Sequence, residues 1–146
     1  MTGSDCHLAD DLAQETFIAL YRQPPRLDGS GSVGAWLYRV AVNRAYNALR
    51  SKQRMQRRLV WAEPEQQSNP QDEYLRREER ERVQTALARL PERTAKLLLL
   101  RHAGLAYAEI AAALQVAPGS VGTLLVRAER AFIQTYEQLG LPDEGL

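Results

Sequence analysis

Residues 105–132 read LAYAEIAAALQVAPGSVGTLLVRAERAF, and their spacing decides the fold. Ile110, Ala111 and Leu114 recur at helical intervals over a short segment, which predicts a brief amphipathic helix. Gln115-Val116-Ala117 breaks that pattern. Pro118 then suits the first turn of a new helix, where its missing N–H has no bond to make. Projected at 100° per residue, the new helix puts Val121, Leu125, Ala128 and Phe132 on one side. Ser120, Thr123, Arg127, Arg130 and Gln134 fall together on the other. A short helix, a three-residue turn and a second helix form the layout of a helix-turn-helix. Small polar residues at the amino end of the second helix are what a major-groove reader needs, because that end reaches the base edges. The wheel alone also fits a helical hairpin with a solvated polar face; the short first helix, tight turn and proline start favour DNA.

Working outward, the spacing predicts helices over 74–90 and 91–104. The first ends at Pro91, and the second has Pro91 at its start and Gly104 past its end. Residues 61–74, WAEPEQQSNPQDEY, hold two prolines among polar residues and read as a linker. Ahead of them a helix is expected from about Val33 to Arg58. The stretch QPPRLDGSGS, 23–32, reads as a turn-forming loop. A first helix is expected from about Leu8 to Arg22, stopped by Pro24-Pro25. No strand-like alternation or internal repeat appears. The expected fold is all-α: a small helical domain over 1–58, a flexible linker over 59–75, a helix-turn-helix domain over 76–140 and a tail over 141–146.

Composition narrows the function. The 146 residues are 45% hydrophobic and 25% charged, as in ordinary globular proteins. The net charge of +1 conceals a segregated pattern. Residues 1–16 carry Asp5, Asp10, Asp11 and Glu15 with no Lys or Arg, whereas residues 17–58 carry nine Lys and Arg against Asp28 alone. A basic centre between acidic flanks points to a localised polyanion surface. The single cysteine, Cys6, permits no internal disulfide, and Cys6 beside His7 is too small a set to hold a metal. No apolar run has the length of a bilayer crossing, and the polar start is no signal peptide, so the cytoplasm is the expected compartment without membrane insertion. No phosphate-cradling GxxxxGK or zinc-binding HExxH occurs, and with only His7 and His102 as histidines no nucleophile–base pair stands out. Neither enzymatic activity nor a cofactor or metal is expected.

Two further faces carry chemistry. On the second helix Val33, Leu37, Ala41, Val42, Ala45, Ala48 and Leu49 form an apolar arc. Opposite them stand Arg39, Asn43, Tyr46, Asn47, Arg50 and Arg54, with Trp36 at the edge. Cations for phosphate, amides for base edges and rings for stacking make a surface for partly opened DNA; Trp36 as a core residue is the alternative. On the first helix Leu8, Leu12, Ala13, Thr16, Phe17, Ala19 and Leu20 share one half of the wheel. Asp10, Asp11, Gln14 and Glu15 occupy the other half, with Ile18 and Tyr21 among them. DNA would repel that half. An acidic rim around exposed apolar groups suits a basic protein partner, or else is simply solvated.

Together ADDLAQETFIALYR (9–22), SVGAWLYRVAVNRAYNALRSKQR (32–54), ALARLPERTAKLLLLRHAGLAYAEIAAAL (86–114) and GSVGTLLVRAERAF (119–132) resemble a bacterial RNA polymerase sigma factor of the extracytoplasmic-function class. That family is built from conserved regions 2 and 4. The resemblance implies a promoter-specificity subunit whose acidic helix docks on core RNA polymerase, here through Asp11, Gln14 and Glu15, with Ile18 beside them. It implies that Trp36, Asn43, Tyr46, Asn47 and Arg50, with the neighbouring Arg39, meet the −10 element. It also implies that Ser120, Thr123 and Arg127, with Arg130, meet the −35 element. Promoter DNA and an anti-sigma factor are the other implied partners. The sequence departs from the family at Gly34, where a larger residue is common, at Asn47, often Asp, and at Gly122 and Leu124, often Lys and Arg. The family normally has a further helical stretch before the ADDLAQETF motif, so the first domain is expected to lack a packing partner. Two other readings stay open: a sigma-like decoy that binds polymerase or an anti-sigma factor without opening DNA, and an operator-binding helix-turn-helix regulator.

Overall fold

A computed structural model describes residues 3–26, 32–58 and 71–140. Among these the chain forms six α-helices and one 3-10 turn, with no strand: α1 (Gly3–Arg22), α2 (Val33–Arg58), α3 (Gln71–Arg89), α4 (Glu92–His102), α5 (Tyr107–Leu114), the turn Pro118–Ser120, and α6 (Val121–Gly140). The all-α expectation holds. Of the expected linker, 59–70 lies outside the described residues, and from Gln71 the chain is already helical. The tail 141–146 and the loop 27–31 also lie outside.

Local chemistry sets the helix ends. Ser32 caps α2, its Oγ accepting from the Ala35 N–H at 3.1 Å. After α4 the chain reverses through Gly104 at φ +92°, a conformation that penalises any residue bearing a Cβ. Glu109 Oε1 accepts from the Ala106 N–H at 3.0 Å, which supplies the one half of a capping box that an alanine cap allows. The turn between α5 and α6 runs through Gln115 at φ 57°, and the Val116 N–H closes it onto the Ala111 carbonyl at 3.0 Å. A left-handed non-glycine residue here is the cost of making so tight a corner. Pro118 opens a 3-10 turn and not the α-helix itself, so α6 proper begins three residues later than the proline suggests.

The core lies mostly in the carboxy-terminal half. One cluster joins Leu97, Leu100, Leu105, Ile110, Ala111, Ala113, Val121 and Leu125 to Val42 of α2. A second joins Leu87, Leu90 and Ala95 to Tyr46, with Leu49, Val83, Leu98 and Phe132 packed against it. The second helix is therefore not a separate layer: α2 packs on α3, α4 and α5 as well as on α1.

The first helix has α2 as its one packed neighbour among the described elements. A helix with one neighbour buries only a narrow stripe. Thr16 is buried, its hydroxyl donating to the Leu12 carbonyl at 2.7 Å, and Leu12, Ala19 and Leu20 are half-buried. Phe17, placed by the wheel on the core half, is instead 62% exposed, and Leu8 and Ala13 are exposed too. No single helix among the described residues is long and apolar enough to cross a membrane.

Candidate nucleic-acid interface and acidic docking face

Three surfaces correspond to the three sets of residues singled out by sequence. On α6 the buried side is Val121, Leu125 and Ala128, as the projection predicts. Thr123, Arg127 and Arg130, with Ser120 just ahead of the helix, are all exposed, and half-exposed Val126 flanks them. Hydroxyls, a methyl pair and guanidinium groups thus line one open face, the chemistry of base-edge and phosphate contact.

The two departures on this helix differ in kind. A Cβ on Gly122 would sit 3.7 Å from the Tyr107 ring, an ordinary contact, so a longer side chain fits there. Leu124 is half-buried and packs on the larger core cluster, so its apolar character serves the fold.

Sequence reasoning missed a neighbouring pair. Arg101 at the end of α4 donates Nη1 to the Leu105 carbonyl at 3.0 Å, and its guanidinium carbon lies 5.1 Å from the centre of the Tyr107 ring. Both residues are exposed beside Gly122, and they extend the α6 face with a cation and a phenol. Tyr107 shares the Ile110–Leu114 stripe of its helix yet is 46% exposed, so periodicity pointed to the core and gave no signal for this pair.

The α2 surface is less open. Asn47 and Arg50 are exposed, and Trp36, Arg39 and Asn43 are half-buried. Tyr46 was expected to face outward with them, but it is 5% exposed. Its ring lies among Leu87, Leu90 and Ala95, and its hydroxyl donates to the Leu90 carbonyl oxygen at 3.1 Å. Arg50 Nη1 donates to the same hydroxyl at 3.1 Å. The projection failed here because it assumed α2 had one apolar side. In the fold, Val42, Tyr46 and Leu49 turn to the carboxy-terminal helices. Arg44, and with it by projection Leu37, Ala41 and Ala48, turns toward α1.

On α1, Asp10, Asp11, Gln14 and Glu15 are exposed, as are Ile18 at 47% and Tyr21 at 90%. Glu15 Oε2 accepts from Arg44 Nη1 at 3.0 Å. This pair neutralises one of the four acids carried by residues 1–16 and ties α1 to α2. Among the described residues no group of three or more His, Cys, Asp or Glu stands close enough to hold a metal ion.

Comparison with known proteins places these surfaces in a family frame. Residues 1–55 match the family description Sigma-70 region 2, and residues 80–132 match Sigma-70, region 4. The chain is 32% identical over 147 residues to the RNA polymerase sigma-H factor of Pseudomonas aeruginosa, an alignment spanning 92% of this chain and 76% of that one. It is 34% identical over 141 residues to the ECF RNA polymerase sigma-E factor of Escherichia coli strain K12, spanning 88% and 74%. Its fold resembles the sigma factor RpoE of Bartonella quintana, solved in complex with the anti-sigma factor NepR. That match has a TM-score of 0.52 at 18% identity and covers 88% of this chain and 80% of that one.

Proposed function

We propose, from the premise that this chain belongs to the extracytoplasmic-function class of the sigma-70 family, a division of labour among its three surfaces. The chain is a sigma factor: it binds core RNA polymerase and directs transcription initiation at promoters. On this reading α1 docks on polymerase through Asp11, Gln14, Glu15 and Ile18. Residues Trp36, Arg39, Asn43, Tyr46, Asn47 and Arg50 of α2 meet the opened −10 strand. Ser120, Thr123, Arg127 and Arg130 read the −35 duplex. Residues 1–58 and 76–140 act as two modules joined through 59–75. The chain carries out no chemistry of its own, works in the cytoplasm beside polymerase, and has an anti-sigma factor as a further partner.

The observation that carries the reading is the exposed Ser120–Thr123–Arg127–Arg130 face on the second helix of the helix-turn-helix, in a chain that also presents an acidic helix. The two surfaces have opposite charge and so call for different macromolecules.

Run-off transcription with purified core polymerase, paired with co-elution of the two proteins, is the test. Asp11→Ala with Glu15→Ala is expected to abolish co-elution. Trp36→Ala with Asn43→Ala is expected to spare co-elution and reduce strand opening. Co-elution that survives loss of both acids would remove the role given to α1.

A further inference from the structure

The open side of α6 carries one apolar group beside its polar ones. Val126 is 50% exposed and flanks Thr123, Arg127 and Arg130. A lone exposed valine is ordinary; its surroundings are not. One turn earlier stands Gly122, so only backbone lies beneath the Val126 methyls, which lean toward the amino end of the helix as helical side chains do. The fold does not ask for glycine at 122. Its φ is not positive, and an added Cβ would meet the Tyr107 ring at 3.7 Å, an ordinary contact. Glycine also weakens a helix relative to alanine. Across the gap the Tyr107 ring, 46% exposed, forms a wall. Arg101 steadies that wall: its Nη1 donates to the Leu105 carbonyl, and its guanidinium carbon lies 5.1 Å from the ring centre. A glycine floor, a valine edge and a braced phenol ring thus leave an apolar notch with room for one methyl group, flanked by Arg101 and Arg130.

We infer, building on the proposed reading of α6 as the −35 helix, that this notch takes the 5-methyl group of one thymine in the major groove. Thymine is the base whose major-groove edge carries an apolar group, and small apolar side chains are its usual partners. Cytosine lacks the methyl, and the purines present N7 acceptors that the notch cannot satisfy. Water gains little there, since a Cα, two methyls and ring carbons offer it no polar partners. The flanking guanidinium groups attract the phosphates on either side and bring the base edge to the helix. One buried methyl group contributes about a fourfold preference. The notch therefore sharpens selection at a single base pair and does not hold the duplex, which falls to Ser120, Thr123, Arg127 and Arg130. Any longer residue at 122 fills the notch, so the preference belongs to this chain and not to its fold.

The test is a methyl scan with the full-length chain bound to core polymerase. The probe is a promoter selected from random-sequence DNA by that complex. Each thymine of its upstream protected segment is replaced singly by deoxyuridine, which keeps every pairing and hydrogen-bonding group and lacks only the methyl. One replacement is expected to weaken binding about fourfold. Val126→Thr keeps the shape of the side chain and exchanges a methyl for a hydroxyl, whereas Gly122→Ala fills the notch. Each is expected to abolish discrimination at that thymine while leaving thermal unfolding unchanged. An upstream segment without thymine, deoxyuridine that binds equally well at every position, or discrimination that survives both substitutions overturns the notch alone. A chain that neither co-elutes with polymerase nor selects any sequence overturns the sigma-factor reading, and the notch with it.

Discussion

The amino-terminal pair of helices and the carboxy-terminal four bury their apolar groups by different means. The carboxy-terminal half supplies its own core: every buried apolar residue in the described structure except Val42 and Tyr46 lies between Ala86 and Ala128. The amino-terminal half borrows: α2 inserts those two residues among helices 40 to 80 positions away, and α1 leans on α2 alone, leaving Phe17, Ile18 and Tyr21 exposed. A helix that closes a core is fixed by packing, whereas one that borrows a core can exchange it for another partner. That difference puts a self-contained core beneath the Ser120–Arg130 face and a shared one beneath the polar stripe of α2.

The comparison can be broken most forcefully at Ile110, fully buried at 0% exposure. Ile110→Ala is expected to lose about 2–5 kcal/mol, measured by urea unfolding followed by far-ultraviolet circular dichroism. Phe17→Ala, removing a larger but exposed side chain, is expected to change stability by less than about 0.5 kcal/mol. A similar loss at both sites would show that α1 packs more fully than its exposure implies.

A second contrast lies within α6. Leu124→Lys is expected to destabilise by about 1–3 kcal/mol, because it withdraws an apolar group from the core and sets an ammonium at its edge. Gly122→Lys, placed where the fold has room, is expected to raise duplex affinity. It should also steepen the dependence of log affinity on log salt concentration by about 0.9, for one added phosphate contact. Fluorescence anisotropy across a salt series reads both values, and an unchanged slope for the Gly122 variant would remove that position from the DNA face.

Where α2 packs on α3 and α4, Tyr46→Phe keeps the ring and deletes the hydroxyl that joins Leu90 and Arg50. It is expected to cost about 0.5–1.5 kcal/mol of stability, measured by urea unfolding. At the α5–α6 corner, Gln115→Gly relieves the left-handed residue and is expected to gain up to about 1 kcal/mol. A small effect is also expected from the Arg44–Glu15 pair, whose side chains are 37% and 56% exposed. A double-mutant cycle should return a coupling of about 0.2–1 kcal/mol, falling as salt is raised.

Much of the site was legible before the structure. The buried and exposed sides of α6 follow from its apolar spacing, Gly104 marks the reversal after α4, and Gln115 to Ala117 mark the corner. The proline at 118 gave the place of the new helix but not its type, since a fixed φ serves a 3-10 turn as well as an α-helix. The acidic face of α1 was also read correctly as exposed, although its Glu15 has a partner in Arg44 that no periodicity could reveal.

By itself the sequence determined where the helices lie and which residues share a side of each. The 3.6-residue repeat is a local property, and proline and glycine punctuate it locally. Tertiary structure alone decided which sides meet. Tyr46 is buried because α3 and α4 arrive there, and Phe17 stays in solvent because no described helix arrives at its side. Burial is a relation between distant segments, and a helical wheel describes one segment at a time.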